Sequence, residues 1–327
     1  MPGSGQLYGI HAGAQWVAAW SDPGPYLDKV LATGVTALRE DFRFDLVEKT
    51  EGTFDWKRYD RLYAATAVRG MTVLPVVDDA PAWADASPYP VTADFAAFVA
   101  AGVERYGPDG SFWAAHPELP RTGASTYWEL WNEPYEPFFA KGSPSPAAYA
   151  ELAVAAADAG RRADPAARFL LEATPKSYGG TTWVDGLYAA QPDLNSRFDG
   201  VAVHAYGNDL GEREGQFRRT MEEVRASFVA HGAADKPFWV TETGSSSCNG
   251  SDPLCVGEDR QAALLADVIE SMQTKYRSYV RSVFVFGYCD PQRDNLDPND
   301  SEDHYGVART DGTPKPAMRT LQTLLED

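Results

Sequence analysis

The sequence predicts an α/β protein that forms a single closed (β/α)8 barrel, the TIM barrel fold. Eight short apolar runs alternate with amphipathic stretches of helical period along the whole chain, as the strands of a parallel sheet alternate with its crossover helices. The runs are apolar on both faces, which is typical of strands buried inside a parallel sheet. Eight strands each followed by a helix favour a closed barrel over an open doubly wound sheet.

Each predicted unit is a strand followed by a helix. The strands are predicted at 6–12, 35–42, 71–77, 126–132, 168–173, 200–206, 237–242 and 282–288. The helices are predicted at about 24–33, 55–69, 91–106, 146–163, 181–190, 215–231, 258–276 and 314–325. Pro75 in the third strand is a mild objection, because proline disfavours central strands. Since no repeat or linker divides the chain, we predict one domain over 6–327, with residues 1–5 as a tail.

Composition and charge restrict the classes of partner. The chain has 327 residues, of which 44% are hydrophobic, enough for one large core. Its 47 acidic and 29 basic residues give a formal charge of −18, which opposes binding to nucleic acid or to anionic lipid surfaces. The sequence contains no run of 18 apolar residues, so we expect no membrane span. An uncharged substrate suits this charge best, and we expect a monomer.

Three cysteines are too few for a disulfide framework. Cys248 and Cys255 lie close together in a polar loop, where a local bridge and two free thiols are about equally consistent with the sequence. A bridge would favour a secreted protein, and free thiols a cytoplasmic one. Cys289 ends an apolar run and is predicted to be a small buried hydrophobic residue.

Polar residues collect at the carboxyl ends of the predicted strands, where barrels of this kind place their chemistry. They are His11 in strand one, Arg39 and Asp41 in two, Asp78 and Asp79 after three, Asn132 and Glu133 at the end of four, Glu172 in five, His204 and Tyr206 in six, Glu242 in seven, and Tyr288 and Asp290 in or after eight. A structural pairing or core role is the alternative for Arg39, His204, His11 and Glu172. Asp78 and Asp79 suit turn or helix capping as well as sugar hydroxyls.

Two of these acids, Glu133 and Glu242, share a local setting. Each ends an aromatic-rich strand, Glu133 after WELWN and Glu242 after PFWVT, and the 109 residues between them are consistent with strands that face one another across the barrel mouth. A lone acid at a strand end is usually a solvated loop residue. A pair of carboxyl groups is what cleavage of a glycosidic bond requires, because one protonates the leaving oxygen while the other attacks the anomeric carbon.

Several motifs resemble a known group of enzymes. WNEP at 131–134 and WVTETG at 239–244, together with the barrel pattern, are similar to clan A of the glycoside hydrolases. EGTFDWKRYD at 51–60 and YGPDGSFWAAHPELP at 106–120 resemble family 39 and related single-domain endoglycosidase-like proteins. HYGVARTDGTPKPA at 304–317 resembles a closing segment of several clan A families. The resemblance covers nearly the whole chain.

The resemblance implies a retaining β-glycoside hydrolase that cleaves a neutral oligo- or polysaccharide and needs no cofactor or metal. It implies that Glu133 is the acid/base and that Glu242 is the nucleophile of a double displacement. It also implies that Arg39 supports the nucleophile, that His204 and Tyr206 lie near it, and that Asn132 binds the sugar 2-hydroxyl.

Further residues join the candidate site because of their positions. We expect Tyr288, His11, Trp16 and Trp131 to support the site or bind substrate. Aromatic faces suit stacking against sugar rings, and those expected in loops at the same mouth are Trp16, Trp20, Trp83, Trp113 and Tyr135. Each tryptophan alone is more often a packing residue. With Trp128, Trp131 and Pro134 around it, Glu133 is expected to be partly desolvated, and its pKa therefore raised.

Two other classes of protein compete with this interpretation. A non-catalytic carbohydrate-binding TIM barrel would use its acids only to hold hydroxyls, and it would need neither a proton donor nor an attacking carboxylate. A metal-dependent barrel hydrolase would require several His and Asp ligands at the strand ends, and the chain has five histidines.

Overall fold

The computed structural model describes residues 6–206, 216–252, 254–291 and 296–326. Eight parallel strands close into a barrel in chain order, so the predicted (β/α)8 fold is confirmed. The strands are β1 (Leu7–His11), β2 (Ala37–Arg43), β3 (Thr72–Asp78), β4 (Tyr127–Leu130), β5 (Arg168–Ala173), β6 (Gly200–His204), β7 (Phe238–Thr243) and β8 (Val280–Phe286). Pro75 lies within β3, whose pairing with β4 begins at the next residue, Val76. The predicted tail, residues 1–5, lies outside the described residues.

Helices surround the barrel and connect its strands. Their bounds are α1 (Ala14–Trp20), α2 (Gly24–Leu31), α3 (Phe44–Val47), α4 (Lys57–Ala67), α5 (Thr92–Tyr106), α6 (Ser111–Ala115), α7 (Pro137–Ala140), α8 (Pro146–Ala163), α9 (Trp183–Ala190), α10 (Leu194–Arg197), α11 (Gln216–Ala230), α12 (Glu258–Gln273) and α13 (Pro316–Leu325). All eight predicted helices are present, although residue 215 of the sixth lies outside the described part. The helices that the sequence did not predict, such as α3 and α7, are too short to show a helical period. None of the described helices is long and apolar enough to cross a bilayer.

The interior of the barrel contains an apolar layer and, nearer the carboxyl ends of the strands, a polar layer. The apolar layer consists of Ala37, Leu74, Leu170, Ala202, Trp239 and Phe284, with Tyr127 packed against it. Successive side chains alternate between the two faces of a strand, so the next inward-facing residue lies two positions further on. The buried polar residues among those positions are Arg39, Glu129, Glu172, His204 and Thr241. The period of the strands thus places five polar side chains at one depth, directly below the barrel mouth.

The loops after β7 and β8 are tied together at the same end. Cys248 and Cys255 form a disulfide in the loop after β7. The buried Lys315 ammonium donates to Asp290 Oδ1 at 2.7 Å and to Ser247 Oγ at 2.8 Å. A buried ion pair with further hydrogen bonds of this kind fixes geometry, because separating the charges would leave one unpaired in the interior. Cys289 is a free, partly buried thiol.

Candidate active site

A cavity of about 1340 Å³ opens at the carboxyl ends of the strands. The described residues that line it are His11, Asp41, Arg43, Asp78, Asp79, Asn132, Glu133, Phe138, Phe139, Pro175, Lys176, Tyr206, Gln216, Arg219, Thr220, Glu223, Glu242, Leu254, Phe286, Glu302 and Tyr305. Five of the ten residues predicted for the site are among them: His11, Asn132, Glu133, Tyr206 and Glu242. Acids from β4 and β7, which are far apart in sequence, therefore meet at one cavity.

An unusual backbone turn positions Glu133. After β4 ends, Trp131 has φ 69° and Glu133 has φ 41°, values in the left-handed region that non-glycine residues rarely adopt. Such a conformation persists only when neighbouring contacts hold it. The Glu133 N–H donates to Glu172 Oε2 at 2.8 Å, and the Trp131 indole N–H donates to the Phe139 carbonyl at 3.1 Å. These contacts hold the turn that brings the Glu133 carboxyl group to the cavity.

A bulge in β7 positions Glu242. Val203 of β6 pairs with Val240, but the next residue, His204, pairs with Glu242, so Thr241 has no partner in this register. A bulge of this kind changes the direction in which the following side chain points. Thr241 faces the interior and donates to Glu129 Oε1 at 2.9 Å, while Glu242 lines the cavity.

Arg39 connects the acids of the site. Its guanidinium is fully buried and donates through Nη1 to Glu242 Oε1 at 2.7 Å and through Nε to Glu129 Oε2 at 2.7 Å. Nη2 also donates to Asn132 Oδ1 at 2.8 Å. Burial lowers the pKa of Arg39, but the charges of Glu129 and Glu242 outweigh it and raise the pKa well above its ordinary value. Arg39 is therefore a permanent cation that orients Glu242.

His204 lies between the two predicted catalytic acids. Its Nδ1 is 2.9 Å from Glu133 Oε1 and 3.5 Å from Glu242 Oε2, and its Nε2 is 3.4 Å from Glu172 Oε1. Burial lowers the pKa of His204, but the surrounding carboxylates, Glu172 first, outweigh it and raise the pKa well above its ordinary value. The imidazole is therefore a cation and donates a hydrogen bond to Glu133.

The expectation that Glu133 has a raised pKa is wrong. Burial does raise the pKa of Glu133, as expected, but the hydrogen bond and charge of His204, followed by the charge of Arg39, lower it by more. The sequence pattern showed the apolar neighbours of Glu133 and not the cation that strand β6 places against it.

Two tyrosines complete the contacts of the acids. The Tyr206 hydroxyl donates to Glu242 Oε2, and burial, with the charge of Glu242, raises the pKa of Tyr206 well above its ordinary value, so that the proton stays on the phenol. The Tyr135 hydroxyl donates to Glu172 Oε1 at 2.9 Å. Glu172 is thus enclosed by protein groups and holds the backbone of Glu133, which is the structural pairing that the sequence left open.

Several expected residues lie outside the cavity wall. Trp131 is buried against Tyr89 and Phe95, and Tyr288 is buried against Tyr26. Trp16 lies on α1, where the Arg58 guanidinium stacks at 4.8 Å from its ring.

The other aromatic residues expected at the barrel mouth lie in different places, depending on which connection between strand and helix carries them. The prediction is wrong for Trp113, which is fully buried on α6, in the connection from α5 to β4. Connections from helix to strand lie at the opposite end of a barrel from the site. Trp20 is exposed on α1, Trp83 donates to the Glu48 carbonyl, and Tyr135 is buried beneath Glu133 through its contact with Glu172.

Sequence reasoning missed Glu129, the fully buried acid that pairs with Arg39. A signal was present, since Glu129 lies inside an apolar strand between Trp128 and Leu130. A carboxylate at such a position requires a buried cation, and Arg39 on β2 is the residue that meets this need. Phe138, an exposed aromatic at the cavity, was also missed.

Two groups of donors lie close enough to bind one metal ion, with ligand atoms within 4.8 Å of one another. They are Glu129, Glu172 and His204, and Glu133, His204 and Glu242. Arg39 already donates to one carboxylate in each group. A guanidinium charge in contact with the donors opposes the approach of a cation, so the donor set fits a metal ion poorly.

Comparisons with known proteins address the family and the fold of this chain. A family model described as glycosyl hydrolase catalytic core matches residues 111–311, which is more than half of the chain. The curated proteins include no significant match.

Solved structures share the fold. A family 39 glycoside hydrolase from Bacteroides cellulosilyticus WH2 has a TM-score of 0.67 and 19% identity, over 98% of this chain and 64% of that chain. A monomeric β-xylosidase from Caulobacter crescentus CB15 has a TM-score of 0.70 and 19% identity, over 98% and 67%. Xylanase 10B from Thermotoga petrophila RKU-1, in complex with xylobiose, has a TM-score of 0.67 and 13% identity, over 99% and 94%.

The chain spans about two thirds of the length of the first two of these structures. At such identities the likeness establishes the fold, the (β/α)8 barrel. With the family model across most of the barrel, the chain belongs to the glycosyl hydrolase catalytic core family.

Proposed function

We propose that this protein is a retaining β-glycoside hydrolase in which Glu242 is the nucleophile and Glu133 the acid/base. One observation carries the proposal: a carboxylate oxygen of Glu133 and one of Glu242 lie within 4.8 Å of each other at the cavity. Carboxyl groups about 5–5.5 Å apart suit direct attack on the anomeric carbon, whereas inverting enzymes separate them by about 6.5–9.5 Å to admit water.

In the first step, Glu242 attacks the anomeric carbon while Glu133 protonates the glycosidic oxygen. Arg39 and Tyr206 hold one oxygen of Glu242 each, so the carboxylate meets the sugar in a fixed orientation. The bond to the leaving group breaks, and a covalent glycosyl–enzyme ester remains. Asn132, itself held by Arg39, faces the cavity and is suited to the sugar hydroxyl next to the anomeric carbon.

The proton for this step comes from the His204–Glu133 pair. This proton lies on His204, whose Nδ1 is 2.9 Å from Glu133 Oε1. A bound sugar excludes water from Glu133, and this desolvation raises the pKa of its carboxyl group, so that the proton moves from His204 to Glu133. Glu133 thereby becomes the acid. In the second step Glu133, now ionised, takes a proton from water, which attacks the anomeric carbon and releases Glu242.

The substrate that we propose is a neutral β-linked oligo- or polysaccharide. The net charge of −18 opposes a polyanionic substrate. The solved structures named above include a β-xylosidase and a xylanase in complex with xylobiose, so β-xylosides and β-xylo-oligosaccharides are the first substrates to test. We further propose that one domain over 6–327 carries the activity, and that the Cys248–Cys255 disulfide reflects an oxidising compartment.

Azide rescue tests the two roles separately. Glu242→Ala should abolish turnover of an aryl β-glycoside, and azide should restore it with a glycosyl azide of opposite anomeric configuration. Glu133→Ala should retain turnover of substrates with good leaving groups, and azide should give a product of retained configuration. Wild-type rates in both variants would refute the assignment, since the acids would then have no part in catalysis, whereas no turnover by the wild-type protein would favour a binding protein.

A further inference from the structure

The two sides of the cavity differ in chemistry. The side formed by the ends of β1, β2 and β3 is polar and carries His11, Asp41, Arg43, Asp78 and Asp79. The side formed by the loops after β4 and β5 carries two aromatic rings, Phe138 and Phe139, together with Pro175 and Lys176. A substrate in the cavity therefore meets hydrogen-bonding groups on the first side and, beside the Lys176 ammonium, apolar surface on the second.

Phe138 is the most exposed aromatic residue on the cavity wall. Its side chain is 82% exposed, although it lies five residues after Glu133 and lines the same cavity. Single exposed apolar residues are common on protein surfaces and need no explanation by themselves. Phe138, however, packs edge-on against Phe139, with ring centroids 5.0 Å apart, so the two rings form one apolar wall.

The segment that carries Phe138 is anchored on both sides. Before it, the Tyr89 hydroxyl donates to the Pro134 carbonyl at 2.6 Å. After it, the Tyr89 N–H donates to the Ala140 carbonyl at 3.1 Å, and the Ser87 hydroxyl donates to the Lys141 carbonyl at 2.7 Å. The short helix α7 is thus held in place, and the Phe138 ring is presented to solvent by a fixed backbone.

The proposed chemistry determines what lies against this wall. A general acid must come within hydrogen-bond distance of the oxygen that it protonates, so the leaving group begins at Glu133. Phe138 follows in the same loop and lines the same cavity. A cavity of about 1340 Å³ also exceeds the ~300–1,000 Å³ of common small-molecule sites, and it leaves room for more than one sugar ring.

We propose that Phe138 is a stacking platform for the first sugar ring of the leaving group. The inference rests on the proposed function and makes it more specific: the preferred substrates are those in which a saccharide, rather than a small leaving group, departs. The apolar face of a pyranose ring covers the Phe138 ring, and the polar groups of β1 to β3 receive the sugar that becomes attached to Glu242.

Binding measurements test the platform without turnover. Xylotetraose and cellotetraose are titrated calorimetrically into Glu242→Gln, and into the same variant with Phe138→Ala, Phe138→Tyr or Trp20→Ala added. Trp20 is the matched control, because it is 89% exposed on α1 and lies outside the cavity wall. We expect Phe138→Ala to weaken binding about tenfold, Phe138→Tyr to restore it, and Trp20→Ala to leave it unchanged. Equal affinities for the Phe138→Ala and parent proteins, or no binding of either tetrasaccharide, would overturn the inference.

Kinetics on two leaving groups supply the second measurement. Fluoride is too small to reach Phe138, so Phe138→Ala should leave kcat/KM for a β-xylosyl or β-glucosyl fluoride unchanged while lowering it about tenfold for the matching oligosaccharide. An equal loss on both substrates would contradict the platform. If the wild-type protein cleaves neither substrate, the proposed function fails, and the binding measurement still decides the stacking.

Discussion

Glu129 and Glu172 occupy similar positions on neighbouring strands and differ in ionisation. Both are fully buried in the polar layer, and both lie near His204. Burial raises the pKa of each. For Glu129 the charge of Arg39, the nearby His204 and the hydrogen bonds from Arg39 outweigh burial and lower the pKa to about 2. For Glu172 burial prevails over the charge of His204, and the pKa is raised to about 8.

Contact with the guanidinium, rather than depth of burial, accounts for this difference. Glu129 accepts hydrogen bonds from Arg39 at 2.7 and 3.2 Å. Glu172 accepts its hydrogen bonds from neutral donors, the N–H of Glu133 and the hydroxyl of Tyr135. The polar layer therefore has two halves. The Arg39 half holds fixed ion pairs and contains the proposed nucleophile, and the His204 half holds exchangeable protons and contains the proposed acid.

Removal of Arg39 should have the largest effect on this comparison. Arg39→Met leaves Glu129 and Glu242 without their buried cation, and we expect a loss of about 3–5 kcal/mol in the free energy of unfolding. Turnover should fall by more than about a thousandfold, or ~4 kcal/mol of transition-state stabilisation. Urea unfolding and kcat/KM on an aryl glycoside measure both. Arg69→Met, which breaks the exposed pair with Asp28, is the control and should cost less than about 1 kcal/mol.

Replacement of Glu129 and of Glu172 by neutral glutamine should show that the two halves of the polar layer contribute differently to stability. Glu129→Gln removes a carboxylate whose pKa is lowered to about 2 in the folded protein. The stability that this carboxylate gives to the fold is therefore present above pH 4.5 and is lost as the pH falls. At pH 7 this variant should be destabilised by about 3 kcal/mol. Glu172→Gln keeps an oxygen that accepts from the Glu133 N–H and breaks no ion pair with a guanidinium, so at pH 6 it should cost about 1 kcal/mol or less. Equal losses in the free energy of unfolding for the two variants, measured by chemical unfolding at pH 6 and 7, would contradict the division of the polar layer into two halves.

Glu40 is a buried acid that accepts hydrogen bonds from backbone N–H groups, and it allows a smaller test of how burial raises a pKa. Its buried carboxylate accepts hydrogen bonds from the Ala14 and Gln15 N–H groups at 3.0 and 3.1 Å, and burial raises its pKa to about 8. The folded state therefore binds this proton more tightly than the unfolded chain, and stability due to Glu40 is present below pH 4.5 and lost as pH rises to about 8.

We expect Glu40→Gln to flatten the decline in the free energy of unfolding across that pH range. Asp28→Asn, a surface change on α2, should leave the decline as it is. A slope that Glu40→Gln leaves unchanged would mean that backbone hydrogen bonds alone keep Glu40 ionised.

Local signals explain how much of the fold the sequence predicted. Each strand and its helix carry their own apolar period and stop signals, so the eight units and their order could be predicted. The short helices could not, because four residues such as Phe44–Val47 contain a single turn and show no period.

Residues of the candidate site could be predicted where a short sequence motif by itself marks them. Glu133 and Glu242 each end a distinctive strand, and both line the cavity. The pKa of Glu133 was not predictable, because its direction depends on His204, 71 residues away in the chain. Trp131 and Trp16 were assigned to the site from their positions near strand ends, but which way a ring points depends on packing with other elements.

The central claim, that Glu242 forms a covalent bond with the sugar, has one direct test. The wild-type protein is incubated with a 2-deoxy-2-fluoro-β-glycosyl fluoride, digested, and sequenced by mass spectrometry. The electron-withdrawing fluorine slows release of the glycosyl–enzyme, so a single sugar should be found on the peptide that contains Glu242, and it should be lost slowly on addition of an acceptor sugar. Labelling of another residue, or hydrolysis of unfluorinated substrate with inversion and no label, would contradict the account.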